Sequence, residues 1–110
     1  MSNDQAKLEP GKKYDGGKSP MSLLPFDALY AVGQVLGYGA GKYDSHNWLK
    51  GMSWSRLESA MLRHYTAHTL GEDTDEESGL PHLAHMACCA LMLLTFRIRG
   101  LGTDDRWKQE

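Results

Sequence analysis

Cysteine is scarce in this chain: there are two, Cys88 and Cys89, adjacent in an apolar run. Neighbours on one helix do not reach disulfide geometry, so a disulfide framework is excluded and a reducing, cytoplasmic setting is expected. An excess of positive charge is also missing. Twelve Lys and Arg against fourteen Asp and Glu leave a formal charge of −2 and a pI near 6.2. No global field therefore draws the chain to nucleic acid, and no nucleic-acid polymer is expected as a partner. No run of about 18 apolar residues is present, which excludes a membrane span. The opening MSNDQAKLEPGKK is polar and lacks the apolar stretch of a signal peptide. With 110 residues there is room for one small core, which excludes a two-domain enzyme or a barrel. The common zinc spacings HExxH and CxxC are absent, as are a His-Asp dipeptide and a GxxxxGK[ST] phosphate loop. Strand alternation and internal repeats are also lacking.

Helical periodicity is what remains. Residues 1–22 read as an extended basic arm, residues 23–102 as a helical domain and 103–110 as a polar tail. In the first helix Pro25 suits the opening turn. Phe26, Leu29, Val32, Gly33 and Leu36 recur at three- and four-residue steps, and the glycines at 37, 39 and 41 are expected to end it. The second helix is capped by Ser53 or Ser55. It carries Trp54, Leu57, Met61, Tyr65 and His68 along one stripe and stops at Gly71. The acidic stretch EDTDEESG follows, and Pro81 opens a third helix that is apolar on nearly every face from Leu83 to Phe96. Three helices, one of them apolar all round, predict an all-α bundle completed by homo-oligomerisation.

Polar residues gather at one end of that bundle. His64 and His68 lie four apart on helix two, and His82 and His85 lie three apart at the start of helix three. A helix N-terminus disfavours imidazolium, so the latter pair is expected neutral. An antiparallel hairpin brings both pairs to the linker that holds Glu72, Asp75, Glu76 and Glu77. The pattern is open between a divalent-metal or phosphate-handling site and a set of half-buried histidines bonded to a solvated acidic loop. A second group is basic and aromatic: Lys12, Lys13 and Lys18 around YDGG, then Lys42, Tyr43, Asn47, Trp48 and Lys50 after the glycines. Lysines and glycine amides suit phosphate, and Trp48 or a tyrosine suits a base. The same residues read equally as a solvated arm and a tryptophan packed under a loop. Arg63 is either a phosphate ligand or an exposed helical arginine.

The runs KYDGGK…LLPFDAL, VLGYGAGKYDSHNWLKG and LRHYTAHTLGEDTDEESGLPHLAHMACCALMLL together resemble the phage-associated dATP/dGTP diphosphohydrolase N-terminal family, over about residues 12–97. In layout the chain is similar to the all-α MazG-like NTP pyrophosphohydrolases, which hold Mg²⁺ with an EExxE helix and an ExxD at the start of the next. Here His82-Leu-Ala-His85 stands at the ExxD position and His64 and His68 stand where the glutamates belong. A literal ExxD, Glu72-Asp-Thr-Asp75, falls in the linker. The resemblance implies cleavage of purine (d)NTPs to monophosphate and pyrophosphate with a divalent metal, in the host cytoplasm if the chain is phage-encoded. Histidine ligands suit Mn or other softer ions better than Mg. On this reading His64, Glu72, His82 and His85 hold the metal, and Asp75 or Glu77 orients water. Lys13, Lys18, Lys42 and Arg63 meet phosphates, and Trp48 meets the base. The alternative is a phage protein that binds or sequesters a nucleotide without cleaving it.

Overall fold

The computed structural model describes residues 16–108. Residues 1–15 of the expected basic arm, Lys13 among them, lie outside the described residues. Three α-helices carry the architecture: α1 Phe26–Lys42, α2 Trp54–Thr69 and α3 His82–Arg99. Short 3-10 turns at Met21–Leu23 and Asn47–Lys50 precede α1 and α2. Among the described residues there is no strand, only two isolated bridges. The all-helical reading holds.

α3 is the central element and packs on both α1 and α2. Its buried side is the four-step line Ala84, Cys88, Met92 and Phe96, the last fully buried. Against it α1 turns Val32 and Val35, with Ala31 and Leu36 beside them. This corrects the expected α1 face: Phe26 is 62% exposed and Gly33 points outward, because the inward line runs through 32 and 35. On α2 the buried line runs Leu57 to His64, two turns apart, while Tyr65 is exposed. Of the expected stripe only Tyr65 falls outside; His64 turns inward as expected.

The glycines do not end α1. It runs through Gly37, Gly39 and Gly41 to Lys42, and the chain leaves the helix at Tyr43. Helical φ and ψ are open to glycine as to other residues, so the glycines weaken that turn without stopping it. α2 stops where expected, with Gly71 at φ 93°. α3 starts at Pro81 and closes at Gly100 in the left-handed conformation.

Neither Ser53 nor Ser55 caps α2 with its own side chain onto the helix. The cap comes from the tail. The Ser55 N–H donates to Asp105 Oδ1 at 2.9 Å and its hydroxyl to Asp105 Oδ2 at 2.5 Å. Thr103 pairs with Ser53, and Trp54 Nε1–H donates to Leu101 O at 3.0 Å. The backbones meet so closely that a Cβ on Gly102 would lie 2.4 Å from Met52 O. Part of the segment read as a free polar tail is thus fastened to the α2–α3 pair. α3 still leaves Leu83, Leu94 and Ile98 49%, 58% and 74% exposed.

Candidate functional site

The α2–α3 linker folds back on itself to bring its acids to the histidines. His82 N–H donates to Asp73 O at 2.9 Å and Asp75 N–H to Leu80 O at 2.8 Å, closing a loop over the N-terminus of α3. Within it the Asp75 carboxylate accepts the Ser78 N–H at 2.9 Å and the Ser78 hydroxyl at 2.8 Å, both on Oδ2. Asp75 is therefore half-buried and fixed, whereas Glu72 and Glu77 stay mostly exposed.

Three histidines meet beneath this loop. His64 and His82 face each other through their Nδ1 atoms at 2.9 Å, one donating the proton the other accepts. His64 also lies flat on His85, with ring centroids 4.4 Å apart and planes 9° from parallel. His82 is buried. His85 Nε2 lies 2.6 Å from Ser78 Oγ, and Tyr38 of α1 meets the same ring edge-on. His68, one turn beyond His64, is not among the residues that form these hydrogen bonds and ring contacts and is half-exposed.

Burial, then the neighbouring imidazoles His85 and His82, lowers the pKa of His64 below its ordinary 6.5. Burial lowers His85 as well, against the pull of Asp75. Burial pushes the Asp75 carboxyl upward, but the two Ser78 hydrogen bonds and the histidines outweigh it and hold Asp75 below the usual carboxylate range. Near neutral pH His64 and His85 are thus neutral and Asp75 is ionised, the forms in which imidazole and carboxylate ligate metals.

Donor atoms of His64, Asp75 and His82 all lie within 4.8 Å of one another. The donor types, two imidazoles and a carboxylate, suit a divalent ion of the Mn-to-Zn series. Of the four residues expected as ligands, His64 and His82 fall in this group. Glu72 stands 3.7 Å from His82 Nε2 at its edge, and His85 is held by Ser78 instead. Asp75, expected to orient water, takes a place in the group itself.

A cleft of about 860 Å³ opens beside the cluster, between α1 and α2, and His64 and His85 line it together with Lys42, Trp48 and Arg63. Lys42 is paired with Glu77 at 2.7 Å. The Glu77 carboxylate, by hydrogen bonding, raises the pKa of Lys42 and of Tyr38, and is itself held low by Lys42 and then Tyr38. Trp48 packs one face on Phe96, ring centroids 6.0 Å apart, so the packed-tryptophan reading holds while the ring also lines the cleft. Lys18 is exposed and is not part of the cleft wall.

Sequence reading passed over Ser78 and Tyr38. The signal for Ser78 was local: Asp75 and Ser78 are spaced for a carboxylate that bonds its own loop, a turn that buries the acid instead of solvating it.

The family model described as dATP/dGTP diphosphohydrolase, N-terminal, matches residues 8–106, and the chain belongs to that family. It is also 37% identical over 99 residues to a protein of Salmonella phage PMBT28 named dATP/dGTP diphosphohydrolase. That match takes in 88% of this chain and 33% of the relative, so the chain spans about a third of the relative's length. No solved structure matches.

Proposed function

We propose that this chain binds purine (deoxy)nucleoside triphosphates in the α1–α2 cleft and hydrolyses them to monophosphate and pyrophosphate with a divalent metal. One observation carries the reading: the residues suited to phosphate and base, Lys42, Arg63 and Trp48, share a cleft with the histidine cluster. The family and the name of the phage relative support the substrate class.

His64, Asp75 and His82 would hold the ion, with Glu72 in reach. When bound it supplies Lewis-acid polarisation of phosphate oxygens and a more acidic water. Lys42, released from Glu77 by the incoming phosphates, and Arg63 neutralise the triphosphate. The free edge of Trp48 contacts the base. Glu77, once freed, and His85 are the polar groups left to orient water. Water adds to phosphorus, the phosphoanhydride bond breaks with its electron pair on pyrophosphate, and the water proton passes to solvent.

The test is product analysis: dATP and dGTP incubated with the protein and Mn²⁺ or Mg²⁺ give monophosphate and pyrophosphate. Absence of turnover with Mn²⁺, Mg²⁺, Co²⁺ and Zn²⁺ alike overturns the reading. A second reading is favoured by His64 and His82 standing where carboxylates would suit Mg²⁺. On it the cleft binds nucleotide without cleaving it, and unaltered nucleotide recovered from inactive protein decides for it. The homo-oligomer belongs to the same proposal. Leu83, Leu94 and Ile98 leave apolar surface on α3 for a second copy to cover, and a monomer at micromolar concentration on size exclusion rules that out.

A further inference from the structure

Ser78 has no role in the reading above, yet it is the group on which Asp75 and His85 meet. Its Oγ lies 2.8 Å from Asp75 Oδ2, 2.6 Å from His85 Nε2 and 3.2 Å from the Leu80 N–H. A hydroxyl has one proton and two lone pairs. The Leu80 amide can only donate, so it takes one lone pair. Asp75 and His85 then compete for the proton, and an ionised carboxylate is the stronger acceptor. With the hydroxyl hydrogen directed to Asp75, the contact to His85 is a hydrogen bond only if Nε2 carries a hydrogen and donates it to Ser78.

The consequence falls on the other ring nitrogen. In a neutral imidazole protonated at Nε2, Nδ1 is an acceptor. No described group bonds to His85 Nδ1, while no buried side-chain nitrogen or oxygen among the described residues lacks a partner. Nδ1 is therefore open to solvent, on a residue that lines the cleft. Flat stacking on His64 and the edge contact with Tyr38 hold the plane of the ring.

We propose that Ser78 is a positioning residue: it donates its hydroxyl hydrogen bond to Asp75, fixes His85 as the Nε2–H tautomer, and thereby presents Nδ1 to the cleft as a hydrogen-bond acceptor for water. That this water is the one that attacks phosphorus rests on the hydrolase reading; the tautomer does not. Asp75 acquires two tasks in one carboxylate, with Oδ2 engaged by Ser78 and Oδ1 left for the metal group. His85 in turn serves the water instead of the ion.

The tautomer can be read directly from long-range proton–nitrogen correlations of the imidazoles in the full, ¹⁵N-labelled, metal-free chain at pH 8. His85 is expected to show a protonated Nε2 and an unprotonated Nδ1. Ser78→Ala keeps the backbone N–H bond to Asp75 and so the turn, and is expected to leave His85 as a mixture of tautomers. Ser78→Thr keeps the hydroxyl and the single tautomer. In turnover assays Ser78→Ala lowers kcat about ten- to a hundredfold, as loss of an orienting partner does, with KM little changed, and Ser78→Thr retains the rate. A wild-type His85 protonated at Nδ1, or a Ser78→Ala spectrum identical to wild type, overturns the proposal. If the wild type turns over no nucleotide, the hydrolase reading fails while the spectra still decide the role of Ser78.

Discussion

The α2–α3 pair is fastened at both ends by a single isolated bridge, and the two ends use a carboxylate in opposite ways. At one end Ser53 pairs with Thr103 and Asp105 caps α2. At the other Thr74 pairs with Pro81 and Asp75 sits under the histidines. Asp105 meets one serine through its backbone and hydroxyl, on an exposed edge. Asp75 also meets a serine through backbone and hydroxyl, but the serine and the acid both continue to imidazoles. The same Asp–Ser device makes a structural clasp in one place and a candidate reactive cluster in the other. What separates them is whether the next neighbour is a solvated surface or a neutral ring.

Several substitutions sharpen or break that contrast. The largest effect is expected from Asp75→Ala, which removes one donor of the metal group and the partner of Ser78. Mn²⁺ affinity by calorimetry should fall beyond the ten- to hundredfold that losing an outer partner costs, and unchanged affinity removes Asp75 from the group. Next is Gly102→Ala at the clasp. It combines a left-handed φ of 71° with a Cβ pressed on Met52 O, and should lose more than about 1–2 kcal/mol in denaturant unfolding while Mn²⁺ affinity is retained. Asp105→Ala should lower Tm by less than Gly102→Ala, again with metal binding intact. If it weakens Mn²⁺ binding, the two ends are coupled and the contrast fails.

Acid separates the ends by pH window. His64 and His85 have folded pKa values below 6.5, so below that value the unfolded chain binds more protons and stability declines as pH falls. Asp75 and Asp105 are also held low, and their contributions, complete above the ordinary carboxylate value of 3.8, are lost as pH falls through the depressed folded values. Thermal melts should therefore show a first loss of stability from pH 7 to 5 that shrinks in His64→Gln, and a second in the carboxylate range that shrinks in Asp105→Ala. A His64→Gln profile parallel to wild type above pH 5 contradicts the first assignment.

Much of this was legible in sequence because helices announce themselves by period. Pro81 and Gly71 marked ends that packing did not override, and the pairing of His64 with His82 followed once α2 and α3 were antiparallel. Reading by period fell short wherever a single position decided the outcome. On α2 the stripe of period held except at Tyr65, which lies outside. The linker EDTDEESG looked solvated by composition, and five acids in eight residues argue for that. Asp75 alone is drawn inward, by bonds to Ser78 that composition does not register. The docking of Thr103 and Asp105 depends on Gly51 and Gly102 approaching each other, a long-range contact without periodic signature.

The three glycines near the end of α1 bear on how the cleft behaves. Each costs a helix about 0.5–1 kcal/mol relative to alanine, and at Gly37, Gly39 and Gly41 no neighbour lies within 4 Å of where a Cβ would stand. Close packing therefore does not demand them. The turn they loosen carries Tyr38 and Lys42, which form one wall of the cleft. That wall is the segment with the least helical stability to lose. Amide exchange should be faster there than along α3, because the wall can open and re-form locally without disturbing the packed core.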